Sequence, residues 1–224
     1  MLFDLRSPGR RNVIKVVYVT LALLMGGGLV LFGIGGEVSG GVVDAITGSS
    51  GGDDGGDRFR EREEQALAAT KADPRDAAAW GELARARFQL ASVGENFDSQ
   101  TNAFTTAGKA KLQQATAAWE QHVEVARTPD DRLAATMAQA YVELGEPAKA
   151  AEAQEIITEA RPKAGAFAQL AVYAYAAGQT RRGDLARDRA LELTDRDQRD
   201  DLRTQLEQAR AQAAQPPAAG AEGD

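Results

Sequence analysis

The chain has 224 residues, a formal net charge of −7 and no cysteine. This length allows one domain of moderate size with an appendage, and the lack of cysteine excludes disulfides and thiolate chemistry. The first fifteen residues carry four basic side chains and one acidic side chain, so the rest of the chain is more acidic than the whole. An acidic body argues against nucleic acid as a partner, because nucleic acid selects basic surfaces.

An uncharged segment at residues 16–36 follows the basic segment at residues 1–15, and it is rich in Val, Leu, Ile and Phe. A helix of about 20 apolar residues spans the hydrocarbon of a bilayer, and each of these side chains contributes about −0.3 to −0.6 kcal/mol to insertion. The segment therefore predicts a transmembrane helix. A cleaved signal peptide is the alternative, but the apolar run exceeds the usual length of about 7–15 residues and no A-x-A site follows it.

The basic residues that precede the span predict its orientation, because such residues stay in the cytoplasm. We expect a single-pass protein of the cell membrane with a cytoplasmic N-terminus and an extracytoplasmic C-terminal domain. Small residues in the span allow another helix to approach closely; they are Ala22, Gly26 and Gly28. A helix–helix contact and the ordinary tolerance of glycine in membrane spans are both open interpretations.

Outside the repeats, the composition of the remaining chain predicts a linker, a capping helix and a tail. Residues 37–57 are rich in Gly, Ser and Asp and predict a flexible linker. Residues 196–214 are highly charged with an apolar stripe of Leu202, Leu206 and Ala209, which suits the capping helix that a helical array needs at its end. Residues 215–224 are expected to be a disordered tail.

Residues 58–195 are organised around a repeated unit. The unit is clearest in Ala134, Met137, Ala138, Tyr141, Gly145, Ala150, Ile157 and Pro162, and it recurs in Phe167, Leu170, Ala171, Ala174, Gly178, Gly183 and Ala190. Its turn glycines, Gly145 and Gly178, are separated by 33 residues. Trp80, Leu83 and Ala84 mark an irregular unit upstream.

The order of small residue, aromatic residue, turn glycine, alanine and closing proline resembles the tetratricopeptide repeat (TPR) family, whose period is about 34 residues. Ala134 replaces the usual opening Trp. With its N-terminal anchor, the chain is similar to membrane-anchored TPR proteins of actinobacteria and, in layout only, to the ancillary subunit of the bacterial Sec translocon. The resemblance implies an all-α fold in which antiparallel helix pairs stack into an α-solenoid, with the first helices lining a concave groove.

A polar insertion at residues 92–107 interrupts the first unit and contains Phe97 and Phe104. Long loops in compact domains are often functional. Two interpretations are open: a local elaboration whose aromatic side chains fold back on the helices, or a lid over the binding groove.

No catalytic, metal-binding or cofactor motif is recognised, and no convincing strand is found. His122 is the only histidine and lies one helical turn from Trp119, which is typical of a packing or surface residue. The acidic residues Asp53, Asp54 and Asp57 lack the glycine and glutamate positions of an EF-hand loop. A P-loop, G-x-G-x-x-G and G-x-S-x-G are also missing. We therefore expect a protein that is not an enzyme and that uses no metal or cofactor.

Helical spacing from Trp80, Ala134 and Phe167 predicts which side chains face the groove. They are Arg85, Phe88, Gln89, Arg132, Gln139, Val142, Glu143, Val172 and Tyr175. This mixed surface suits an extended peptide or a partner helix. The Lys and Asn clamp with which similar repeat proteins hold the C-terminal peptides of chaperones is missing, so we do not transfer that ligand.

These features predict a membrane-anchored scaffold or adaptor that binds another protein outside the cytoplasm and assists envelope or secreted proteins. The alternative is an accessory subunit of a larger membrane complex, such as a translocon, transporter or respiratory complex, held through the Gly-rich span. A secreted soluble scaffold would follow if the apolar run were cleaved.

Overall fold

The structure is a computed structural model, and it describes residues 54–214. The predicted basic segment, transmembrane helix and tail, together with Ala22, Gly26 and Gly28, lie outside these residues. Between residues 54 and 214, no helix is both long enough and apolar enough to cross a membrane.

Eight α-helices account for most of the described residues, which confirms the all-α prediction for this part of the chain. They are α1 (Asp54–Ala72), α2 (Ala77–Ala91), α3 (Thr106–Val125), α4 (Asp131–Glu143), α5 (Pro147–Ala160), α6 (Ala164–Ala176), α7 (Thr180–Leu193) and α8 (Arg199–Ala213). The first helix begins at Asp54, earlier than the predicted start at residue 58.

Side chains at the N-termini of several helices determine where those helices begin. Asp76 accepts hydrogen bonds from the first free N–H groups of α2, at 2.9 and 3.1 Å, and Asp130 does the same for α4, at 2.9 and 3.2 Å. Such caps satisfy donors that have no partner inside the helix. Pro147 opens α5, where the missing N–H of proline costs nothing.

The helices pack side by side as the hairpins α2/α3, α4/α5 and α6/α7. Two of these hairpins turn in the same way, because Gly145 and Gly178 both have a positive φ, of 74° and 71°. Glycine adopts this backbone conformation without the steric cost that other residues incur. At each turn the next N–H donates to the carbonyl five residues earlier, at 2.8 Å; the pairs are Glu146 with Tyr141 and Gln179 with Ala174. The two turns, whose glycines are 33 residues apart in the sequence, therefore share one backbone conformation.

A shared core runs through the three hairpins. Ala138 and Ala171, at equivalent positions of α4 and α6, are 1% and 0% exposed, so the neighbouring helices approach closely where these small residues lie. Met137 and Leu170 fill the adjacent space. At the C-terminal end, α8 packs on α6 and α7 and buries Leu202 and Leu206.

The insertion forms a short β-hairpin, which corrects the expectation that the chain has no strand. A 3-10 turn (Gly94–Asn96) leads into β1 (Phe97–Asp98), which pairs antiparallel with β2 (Ala103–Phe104). Two-residue strands are too short to produce a recognisable alternation in the sequence. The rings of Phe97 and Phe104 meet edge to face at 5.3 Å, and Phe104 packs on a small core formed by Ala91, Leu112 and Ala140.

Candidate partner-binding surface

Eight of the nine predicted groove residues lie on α2, α4 and α6 with accessible side chains. Arg132, Gln139 and Glu143 are exposed, whereas Arg85, Phe88, Gln89, Val142 and Val172 are half-buried. The three exposed residues are spaced by seven and four positions along α4, so they share one face of that helix. We refer to Arg132, Gln139 and Glu143 as the α4 face.

Arg85 connects α2 to the start of α4. Its guanidinium pairs with Glu82 one turn away and, at 3.2 Å, with the carboxylate of Asp130. Burial alone would raise the pKa of Asp130, but hydrogen bonds from the N–H groups of Leu133 and Arg132, with the positive charge of Arg85, hold that pKa below its ordinary value. Arg85 is therefore engaged within the chain and is not a free binding group.

Tyr175 lies in the core, which corrects its assignment to the groove. Its side chain is 2% exposed, and its hydroxyl donates to Asp184 of α7 at 2.9 Å. Burial and the contact with Asp184 raise the pKa of Tyr175 to about 12. The prediction failed because α6 is apolar around most of its circumference and packs on α5, α7 and α8. Periodicity cannot identify an outward face on such a helix.

A pocket of about 490 Å³ opens beside Arg85. The pocket exists because several of the side chains that line it on α2 and at the end of α3 are small. Charged side chains also line it. It is lined by Ala77, Ala78, Gly81, Glu82, Arg85, His122, Ala126, Arg127, Thr128 and Asp130, and we call it the His122 pocket. The sequence did not indicate it, because alanine gives no signal in an alanine-rich chain.

His122 forms the inner wall of this pocket and is 7% exposed. Its Nδ1 lies 2.7 Å from the carbonyl oxygen of Ala77, and its Nε2 accepts the N–H of Asp130 at 3.2 Å. The imidazole also stacks on Trp119, with 5.2 Å between the ring centres. The side chain thus contacts the first residue of α2 and the capping residue of α4.

A half-buried ionic cluster holds the first three helices together. Glu63 of α1 accepts from Arg87 of α2 and from Lys111 of α3, each at 3.0 Å. Burial would raise the pKa of Glu63, but hydrogen bonds from Lys111 and Arg87 outweigh burial and lower it. Its partners lie 24 and 48 residues away along the chain, so no local pattern in the sequence pointed to this cluster.

A second polar junction joins α3, α4 and α5. Glu120 of α3 accepts from the Tyr141 hydroxyl of α4 at 3.1 Å and from Lys149 of α5 at 2.8 Å. Burial and the nearby carboxylates raise the pKa of Tyr141. These groups bind each other, and we assign them to the packing of the helices.

Within residues 54–214, no group of three or more acidic or histidine side chains is placed to hold a metal ion. The buried side-chain nitrogen and oxygen atoms of these residues all have hydrogen-bond partners. No protein-family model matches the chain, and comparison with curated proteins gives no match either.

Proposed function

We propose that the chain is a membrane-anchored scaffold of TPR-like α-solenoid type that binds another protein on the extracytoplasmic side of a bacterial membrane. The observation that supports it best is the recurrence of one helical hairpin, with matching turns at Gly145 and Gly178. Arrays of such hairpins present an extended concave surface to their partners. The family assignment itself rests on the order of residues in the repeat.

The α4 face is the part of this surface that we assign to the partner. Arg132, Gln139 and Glu143 are exposed, and the half-buried Val142 lies beside them in the sequence. Polar side chains around a small apolar contact suit an extended peptide or one face of a helix. On α2, Phe88 and Gln89 are also partly accessible, so the surface extends to the first hairpin.

The predicted membrane anchor would hold this surface outside the cytoplasm and close to the bilayer. The uncharged segment at residues 16–36 and the preceding basic residues support a single span with the helices outside the cytoplasm. Seventeen residues separate that segment from α1. A flexible linker of this length has a root-mean-square reach of about 20–25 Å, so the scaffold would act close to the bilayer.

Site-specific photo-crosslinking in intact cells tests the proposal. A photoreactive residue at Gln139 should form an adduct with one protein, identified by mass spectrometry, because this position lies on the α4 face. The matched control is Arg181, which is also exposed but lies on α7, the second helix of its hairpin. Equal adducts at both positions, or none at Gln139, would contradict the binding surface.

A second variant sharpens the result. With the photoreactive residue at Glu143, the pair of substitutions Arg132→Ala and Gln139→Ala should reduce the adduct, because both side chains belong to the same face. Surface substitutions of this kind change stability by no more than about 0.5 kcal/mol. A reduced adduct at an unchanged melting temperature therefore reports binding and not unfolding.

The alternative function, an accessory subunit of a larger membrane complex, is supported by the small residues of the span. Ala22 and Gly26 lie four residues apart, a spacing that lets two membrane helices approach closely. The double substitution Gly26→Leu and Gly28→Leu should then abolish co-purification of the partner in detergent. If co-purification persists while the α4-face variants lose it, the helical repeats hold the partner.

A further inference from the structure

His122 is bonded on both sides to backbone groups of different hairpins. Its Nδ1 is 2.7 Å from the carbonyl oxygen of Ala77, where α2 begins, and its Nε2 is 3.2 Å from the N–H of Asp130, where α4 is capped. The imidazole is therefore part of the junction between the first hairpin, α2/α3, and the second, α4/α5.

These two bonds fix the state of the ring. A nitrogen that accepts an N–H bond carries no hydrogen, so Nε2 is unprotonated, and the hydrogen of the neutral ring sits on Nδ1 and is donated to Ala77. The stack on Trp119, with the two rings inclined by 21°, holds the ring plane in place. The geometry thus requires one tautomer of the neutral imidazole.

Several charged groups face this ring across the pocket. Glu82 and Arg85 approach from α2, while Arg127 and Asp130 belong to the segment that joins α3 to α4. Asp131, the first residue of α4, is paired with Arg161 at 2.5 Å. The pocket is open to solvent, so a proton can reach the ring.

We propose that His122 is a protonation-dependent joint between the first two hairpins, in which uptake of a proton at Nε2 breaks its bond to the N–H of Asp130 and rearranges the start of α4. The bond breaks because two donors then face each other. The Asp130 carboxylate is the nearby acceptor for the new donor, since the positive charge of His122 helps to keep this carboxylate ionised.

That carboxylate already accepts three hydrogen bonds. One of its oxygens accepts from Arg132 and Leu133 at the start of α4, and the other pairs with Arg85. To accept from the ring as well, the Asp130 carboxylate has to turn toward Nε2, and this disturbs its helix cap or its pair with Arg85. The stack on Trp119 also suits a positively charged ring, so the change is confined to the Nε2 side and alters the mouth of the His122 pocket.

Nitrogen-15 NMR of the full chain in detergent micelles tests the proposal, and the ring signals are unambiguous because the chain has a single histidine. At pH 8 we expect the hydrogen on Nδ1. As the pH falls to 5, the Asp130 amide should shift with the same midpoint as the ring. Its protection from hydrogen exchange, corrected for the intrinsic pH dependence, should fall at least about fivefold, the effect of losing one hydrogen bond. The Gly178 amide, at the turn of the third hairpin, should not respond.

The matched variant is His122→Gln, whose amide can donate and accept but does not titrate. In this variant the pH response of Asp130 should disappear. A hydrogen on Nε2 at pH 8, an Asp130 amide that does not follow the ring, or an unchanged response in the variant would each overturn the proposal. If the variant does not fold, the first two measurements on the unmodified chain still decide.

Discussion

The ring of Tyr175 occupies the space that a β-carbon on Gly183 would need. Such a carbon would lie 2.4 Å from both Cδ1 and Cε1 of the tyrosine, far inside van der Waals contact. Beyond the ring, the tyrosine hydroxyl reaches Asp184, which also pairs with Arg187 at 3.4 Å and with Arg210 of α8 at 3.2 Å. The missing side chain of Gly183 therefore sets the approach of α7 to α6.

We predict that Gly183→Ala destabilises the protein. Overpacking a core costs about 1–3 kcal/mol, while replacing glycine by alanine inside a helix returns up to about 1 kcal/mol. The 2.4 Å approach places the overpacking near the upper end of its range, so a net loss of about 2 kcal/mol should lower Tm by about 4–8 °C in a melt followed by circular dichroism. In the control Gly56→Ala, the new methyl group meets only the tip of Arg60 at 3.9 Å, so Tm should stay or rise. A G183A protein that melts no lower than G56A would contradict this account.

A second prediction concerns Tyr175 itself. Tyr175→Phe removes the hydrogen bond to Asp184 and should cost about 1 kcal/mol, measured by urea denaturation. Because the pKa of Tyr175 is raised to about 12, this contribution is fully present below about pH 10, the ordinary value of tyrosine, and is lost as the pH rises through about 12. Partner crosslinking at Gln139 should not change, since the side chain is buried.

The control for that variant is Arg132→Ala, for which we expect the opposite pattern. Arg132 is exposed, so the free energy of unfolding should change by less than about 0.5 kcal/mol while crosslinking falls. If Tyr175→Phe reduced crosslinking without a loss of stability, Tyr175 would have to be assigned to the binding surface.

Much of the helical arrangement follows from local sequence features. Gly145 and Gly178 mark turns because the left-handed backbone there favours glycine, and Asp76 and Asp130 mark helix starts because their carboxylates cap free N–H groups. Such signals depend on residues close in the chain, so a single sequence contains them. The predicted start at residue 58 was wrong for α1, which begins at Asp54.

The candidate site was less predictable, because it depends on which helices meet. Tyr175 was misplaced since α6 is apolar on several sides, and the His122 pocket was missed since alanines form it. From its position near Trp119, His122 was predicted to be a packing or a surface residue, and the structure buries it. Its bonds to Ala77 and Asp130, however, exist only because the first two hairpins meet. No periodicity in α3 contains that information.

A third prediction uses the ionic cluster around Glu63. Glu63→Gln removes two ion pairs whose side chains are 17–30% exposed. The expected loss is about 1–3 kcal/mol at pH 7, between the values for surface and buried pairs. Because the pKa of Glu63 is lowered in the folded protein, the stabilisation is present above the unfolded value of about 4.3 and disappears as the pH falls through the folded value.

Urea denaturation between pH 7 and pH 3 measures this difference. Glu64→Gln is the matched control, because Glu64 is the exposed neighbour of Glu63 on α1, and it should change stability little at either pH. If the two variants were equally stable at pH 7, or if the gap between them did not narrow as the pH falls toward 3, the cluster would not hold α1 on α2 and α3.

The fourth prediction separates the two interpretations of the insertion at residues 92–107. Phe104 packs on Ala91, Leu112 and Ala140, so Phe104→Ala should leave a gap and cost about 2–3 kcal/mol, less than the loss at a fully buried phenylalanine.

Phe97 contacts Phe104 edge to face, and an aromatic pair of this kind is worth about 0.5–1.5 kcal/mol. Phe97→Ala should therefore be the milder substitution, by the same urea measurement. If the insertion is a structural elaboration, Phe97→Ala leaves crosslinking at Gln139 unchanged. If it is a lid over the groove, Phe97→Ala changes crosslinking more than it changes stability, because the ring would contact the partner. The ratio of the two effects thus decides between packing and partner contact.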